Sequence, residues 1–123
     1  MGVSKTALIV DDSISIRQMV SFTLQEGGFA VIEATNGQEG LDRLEQGKVD
    51  VIITDLNRPV MDGITFIRNL RSRPASKYTP VLMLTTESQD TRKQEGRAAG
   101  ATGWIVKPFN PEKLLNVIAK VLP

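Results

Sequence analysis

Short apolar runs and helix-periodic stretches take turns along this chain five times, and no other feature restricts the fold as much. Ala7 to Val10, Val49 to Thr54 and Val81 to Thr86 are continuous aliphatic or β-branched runs bounded by polar residues, whereas Ala30 to Ala34 and Trp104 to Lys107 are shorter and more mixed. Between the runs, Ile16, Met19, Val20, Thr23 and Leu24 recur at helical spacing, as do Leu114, Val117, Ile118 and Val121. Leu41 and Leu44 mark a helix after Asn36 and Gly37, and Ile64, Phe66, Ile67 and Leu70 mark another after Asp62 and Gly63. Gly27, Gly28, Gly47 and Gly100 stand where helices are expected to stop. Strand and helix alternating in this way predict a parallel sheet covered on both faces.

Strand order follows from polarity. The first, third and fourth runs are continuously apolar and belong inside the sheet; the second and fifth belong at its edges. The order 2-1-3-4-5 with right-handed crossovers satisfies this and puts a switch point between strands 1 and 3. Ligands in such sheets bind beyond the carboxyl ends of the strands. The fourth helix, about Ser88 to Ala99, is the least secure element. It carries almost no large apolar side chain and has Gly96 inside it, at a cost of about 1 kcal/mol relative to Ala. It is expected to be weakly anchored and mobile.

Composition excludes several functions. At 123 residues the chain is read as one domain spanning 1–123, with 41% hydrophobic and 24% charged residues as in globular proteins. Fifteen Lys and Arg against fourteen Asp and Glu give no electrostatic case for nucleic acid or anionic lipid. There is no cysteine and no histidine, so no disulfide, thiol nucleophile, imidazole base or usual zinc ligand is available. No run reaches the ~18 apolar residues of a membrane span or is flanked like a signal peptide, so a cytoplasmic location without membrane insertion is expected.

The chemistry gathers at the strand ends. Asp11 and Asp12 follow strand 1, Asp55 ends strand 3, Thr85 ends strand 4 and Lys107 ends strand 5. Each has an ordinary explanation alone: Asp12 or Ser13 as a helix cap, Asp55 as a turn residue before Pro59, Thr85 as a strand residue, Lys107 as a solvated charge. Together they place three carboxylates, a hydroxyl and an ammonium on one rim. Carboxylates within ~5–6 Å repel by a few kcal/mol per pair at an effective dielectric near 20, and one lysine does not balance three of them. Mg²⁺ suits such an oxygen set and leaves positions for phosphate oxygens. A carboxylate beside it can attack phosphorus in line while Lys107 and the metal neutralise the transferring oxygens and Thr85 donates a hydrogen bond.

These residues, from Leu8, Ile9, Val10, Asp11, Asp12 and Ser13 through Asp55 to Gly63, Leu84 to Glu87 and Gly100 to Phe109, resemble the receiver domain of bacterial two-component response regulators over essentially the whole chain. The spacing of thirty residues from Asp55 to Thr85 and twenty-two from Thr85 to Lys107 makes the resemblance specific. It implies a flavodoxin-like, CheY-like (βα)5 three-layer sandwich, with Asp55 as acceptor of a phosphoryl group from the phosphohistidine of a sensor histidine kinase. It implies Mg²⁺ held by Asp12 directly, by Asp11 mainly through water, by Asp55 and by the backbone carbonyl of Asn57. Lys107 would contact the phosphoryl group and precede a cis bond at Pro108. Thr85 and the aromatic residue at 104 would form a switch that alters the surface of the fourth helix, fifth strand and fifth helix for an output protein. Chemotaxis-type signalling by a monomer or weak dimer is the expectation, with a phosphoacceptor that catalyses only its own phosphorylation and dephosphorylation.

Three positions bear on rate and switching. Trp104 stands where such chains usually carry Tyr or Phe, and it either stays on one side or anchors a partner at the surface. Thr86 stands where a small residue would leave the site open, and its methyl group is expected to narrow access. Arg58 follows Asn57 and either pairs with Glu87 across the opening or is an ordinary solvated charge. A flavin or nucleotide site is disfavoured because Asp11, Asp12, Ser13, Ile14 and Ser15 form no glycine-rich cradle. An Mg²⁺-dependent aspartyl phosphatase of the haloacid-dehalogenase kind wants an acid two residues after its nucleophile, where Asn57 stands. The remaining alternative is a receiver excised from a larger DNA-binding regulator, which would also end near Leu122 and Pro123.

Overall fold

The computed structural model describes residues 5–55, 62–85, 90–107 and 109–122, the side chain of residue 90 excepted. Strands β1 (Thr6–Val10), β2 (Ala30–Ala34), β3 (Val51–Asp55), β4 (Val81–Thr85) and β5 (Gly103–Val106) alternate with helices α1 (Ile14–Glu26), α2 (Gly37–Gln46), α3 (Gly63–Arg71), α4 (Asp90–Ala99) and α5 (Pro111–Val121). All neighbouring strands pair in parallel, in the order β2-β1-β3-β4-β5. Every residue of β3 and β4 is buried, while β2 and β5 are mostly half-buried or exposed, as expected of edges.

Alternate strand residues point to opposite faces and build two cores. Leu8, Val10, Ile52 and Met83 pack with Phe66, Ile67 and Leu70 of α3 and Leu41 of α2. Ala7, Ile9, Ile53, Leu82 and Ile105 pack with Val20 and Leu24 of α1 and Leu114 and Ile118 of α5. Among the described residues, four helices begin on a side-chain cap: Ser13, Asn36, Asp62 and Asn110 accept from the amides of Ile16, Glu39, Thr65 and Lys113. Each such cap contributes about 1 kcal/mol and fixes where its helix starts relative to the strand before it. Gly28 and Gly100 have φ of 92° and 118°, a region that favours glycine, and so end α1 and α4 sharply. Among the described residues, no helix is long and apolar enough to cross a membrane.

Two helices carry detail that periodicity and propensity do not show. Met19 does not belong to the core stripe of α1 but is 43% exposed, while Val20, Thr23 and Leu24 are buried. At about 100° per residue Met19 lies roughly a quarter turn off the middle of that stripe. The second concerns α4, where Gly96 has a packing role that its local propensity does not show. A Cβ at Gly96 would overlap Met83 Sδ and stand 2.9 Å from Met83 Cε, so the glycine lets the helix lie directly on β4. Polar ties add to this close approach. Arg92 Nη2 reaches Asp62 Oδ2 at 3.2 Å, and Arg71 Nε donates to the Gly100 carbonyl oxygen at 3.0 Å. Helix α4 is therefore held by backbone proximity and ion pairing, which a count of large side chains does not register.

Candidate functional site

Parallel pairing brings the carboxyl ends of β1, β3, β4 and β5 to one rim, and the chemically active residues sit there. Asp11 directly follows β1, Asp55 closes β3 and Thr85 closes β4. Lys107 directly follows β5, where its amide donates to the Thr85 carbonyl oxygen at 2.6 Å and continues the ladder. Carboxylate oxygens of Asp11, Asp12 and Asp55 all lie within 4.8 Å of one another. Asp11 is 1% and Asp55 6% exposed, while Asp12 faces solvent.

Asp11 is held at nearly every polar atom. Its amide donates to the Ala34 carbonyl at 3.1 Å, its carbonyl accepts from Arg17 Nη1 at 2.8 Å, and its Oδ1 accepts from the Ser13 amide at 2.9 Å. Oδ2 alone is buried without a hydrogen-bond partner. Thr85 Oγ1 is likewise buried and unpartnered. A buried, unsatisfied polar atom costs about 1–3 kcal/mol, so two of them on one rim signal a site built for a ligand.

Electrostatics point the same way. Two carboxylates 4.8 Å apart repel by about 3 kcal/mol at an effective dielectric near 20, and by less where Asp12 meets water. Their donor set consists of carboxylate oxygens with no nitrogen or sulfur, which fits a hard divalent cation such as Mg²⁺. The orphaned Oδ2 of Asp11 is the atom that such a cation, or water bound to it, would satisfy.

Of the residues singled out from sequence, Asp11, Asp12, Asp55, Thr85 and Lys107 are brought to this rim. Asn57, Arg58, Thr86, Glu87 and Pro108 lie outside the described residues. Trp104 is half-buried against the Met83 side of the core, beneath two cations of α4. Arg97 Cζ stands 5.3 Å and Lys93 Nζ 5.9 Å from its ring centroid, and the group lines a cleft of about 340 Å³ with Gln94. Trp104 is thus neither wholly in nor wholly out.

Sequence reasoning missed Arg17 and Glu33. Arg17 Nε donates to Glu33 Oε1 at 3.2 Å while its Nη1 holds the Asp11 carbonyl. The pair is sixteen residues apart and meets only because β2 lies beside β1 with Glu33 opposite Ile9. Once β2 is placed next to β1, an acid near the carboxyl end of β2 and a base one turn into α1 become a findable pair.

With this geometry in place, comparison with known proteins is informative. Residues 7–119 match the family model for the response regulator receiver domain. The solved structure of the chemotaxis response regulator CheY4 of Vibrio cholerae is 53% identical, with a TM-score of 0.92, over 98% of this chain and 100% of that one. The signal receiver domain of a signal transduction histidine kinase from Syntrophus aciditrophicus is 29% identical, with a TM-score of 0.89, over 97% of this chain and 90% of that one. Among curated proteins, the transcriptional regulatory protein SrrA of Staphylococcus aureus is 38% identical over 119 residues, 97% of this chain and 48% of SrrA. The chain thus spans about half the length of the curated relatives it matches.

Proposed function

The chain belongs to the response regulator receiver domain family of two-component systems, and on that premise we propose that Asp55 is its phosphoacceptor, charged by the phosphohistidine of a sensor histidine kinase with Mg²⁺ bound. The observation that carries this reading is the packing of buried Asp55 within 4.8 Å of Asp11 and Asp12, with the hydroxyl of Thr85 unpartnered at the end of the next strand. Asp55 is rooted in the central strand, whereas Asp12 faces solvent at the start of a turn. That difference suits Asp55 to attack and Asp12 to hold a cation.

In the step itself, an Asp55 carboxylate oxygen forms a bond to phosphorus as the P–N bond to the donor imidazole breaks. The electron pair leaves with the imidazole nitrogen, and an aspartyl phosphate results. Bound Mg²⁺ would neutralise charge on the transferring oxygens, with Asp11, Asp12, Asp55 and the carbonyl of Asn57 as its protein ligands. Lys107, directly after β5 on the same rim, would contribute a positive charge to the phosphoryl group, and Thr85 would donate its hydroxyl to a phosphoryl oxygen. Thr86, Glu87 and Arg58, adjacent in sequence to the site residues, would set how readily donor and water approach. The protein acts as a signalling phosphoacceptor that catalyses only its own phosphorylation and dephosphorylation.

The output surface is the face formed by α4, β5 and α5. Thr85 ends β4 and pairs with Val106 of β5, two residues from Trp104, so movement of its hydroxyl is felt where Trp104 meets Arg97 and Lys93. Identity of 53% to a chemotaxis response regulator favours chemotaxis-type output through a protein partner in the cytoplasm. The match to half of a transcriptional regulator supports a second reading, in which this is the receiver of a longer, DNA-binding chain. Incubation with Mg²⁺ and acetyl phosphate followed by intact mass tests the phosphoacceptor claim. One added phosphoryl group, lost in Asp55→Asn, is expected; no gain in the wild type removes the proposal.

A further inference from the structure

Arg17 belongs to α1, yet its side chain serves the turn that precedes the helix. One arm of the guanidinium bonds the Asp11 carbonyl and another bonds Glu33, and the Arg17 side chain is only 13% exposed. Its backbone amide donates to the Ser13 carbonyl at 3.0 Å, so the helix that positions the side chain starts inside the same turn. A planar, rigid fork of this kind fixes the direction of both acceptors, which a lysine ammonium does not. The Asp11 carbonyl is one end of the Asp11–Asp12 peptide, and the orientation of that peptide decides where both carboxylates point. With its amide, carbonyl and Oδ1 all bonded, Asp11 presents Oδ2 with no rotational freedom left to lose.

We propose that Arg17, steadied by Glu33, is a positioning residue for the cation site, holding the Asp11–Asp12 peptide so that both carboxylates face Asp55 before a cation arrives. This rests on the reading above that the three carboxylates take Mg²⁺. Charge and orientation predict opposite results, which makes the role separable. As a positive charge near the cluster, Arg17 competes with Mg²⁺, so its removal would tighten binding. As an orienting group its removal loosens binding, and groups that orient metal ligands typically matter 10–100-fold. Glu33 lies on the guanidinium at 3.2 Å and offsets its charge, so orientation dominates.

The test is a calorimetric Mg²⁺ titration of the full chain as wild type, Arg17→Met, Arg17→Lys and Glu33→Ala, each below its own melting onset with far-UV dichroism confirming the fold. Arg17→Met is expected to weaken Mg²⁺ binding about 10–100-fold. Arg17→Lys keeps the charge without the fork and is expected to fall well short of wild-type affinity. Glu33→Ala, on an exposed edge, is expected to show a smaller loss in the same direction. A folded Arg17→Met that binds Mg²⁺ as tightly as wild type, or more tightly, overturns the inference whatever its melting temperature. If Arg17→Met does not fold, wild-type affinity in both other variants overturns it. A wild type that binds no Mg²⁺ overturns the receiver reading as well, whereas normal wild-type binding with unaffected variants overturns this inference alone.

Discussion

Replacing Asp12 by Asn should make the metal-free protein more stable while weakening its hold on Mg²⁺. Asp12 has carboxylate oxygens of both Asp11 and Asp55 within 4.8 Å. At that spacing each pair repels by about 1 kcal/mol in bulk water and about 3 kcal/mol at an effective dielectric of 20. Asp12 faces solvent, which favours the lower figure, and the unfolded chain retains the neighbouring Asp11, so about 1–2 kcal/mol is a reasonable net relief. For a chain of this size that corresponds to a rise in Tm of about 3–10 °C. The assay is thermal unfolding by circular dichroism with chelator, repeated at high salt, where the gain should shrink because Asp12 is exposed to screening ions. In excess Mg²⁺ the order should reverse, since wild type at 100 times its Kd gains about 2.7 kcal/mol that the variant lacks. An unchanged or lower Tm without metal would refute the reasoning, because it would mean that the carboxylates are not strained by one another.

Three further outcomes are expected. Gly96→Ala gains helix propensity worth about 1 kcal/mol but drives a Cβ into Met83, an overpacking that costs about 1–3 kcal/mol, so denaturant titration should show a net loss rather than a gain. Asp62 titrates below its ordinary 3.8: burial works to raise it, but the Thr65 amide and Arg92 stabilise the charged form and prevail. Its contribution to stability is therefore fully present above pH 3.8 and is lost as pH falls through the lowered folded value. Asp62→Asn, which retains a capping oxygen, should be destabilised at neutral pH, with a deficit that closes in acid unfolding curves below pH 3.8. Thr86→Ala should speed phosphorylation by acetyl phosphate or the decay of the phosphorylated form, measured by intact mass against time; no change in either would show that the methyl group does not gate the site.

Much of the site was legible because parallel sheets impose a simple rule. Residues that end or directly follow successive strands share a rim, so Asp11, Asp55, Thr85 and Lys107 could be grouped from run boundaries alone. Edge and central strands were also readable, since only the strands buried on both faces can be apolar throughout. What escaped was whatever depends on register or close approach. Arg17 and Glu33 meet through the β1–β2 pairing, and neither residue is unusual in its own neighbourhood. Gly96 was weighed by local propensity, which counts backbone entropy, whereas its value here is the missing side chain over Met83. Met19 shares the helical spacing of its neighbours yet is exposed, because such spacing places a residue only to within about a quarter turn.

Locating the phosphoryl group tests the central claim most directly. After incubation with Mg²⁺ and acetyl phosphate, borohydride reduction converts an aspartyl phosphate into homoserine, which peptide mapping by mass spectrometry assigns to one residue. The account predicts conversion at Asp55 alone, with Asp11 and Asp12 unmodified. Conversion at Asp11 or Asp12, or at no aspartate while wild type demonstrably binds Mg²⁺, would contradict it.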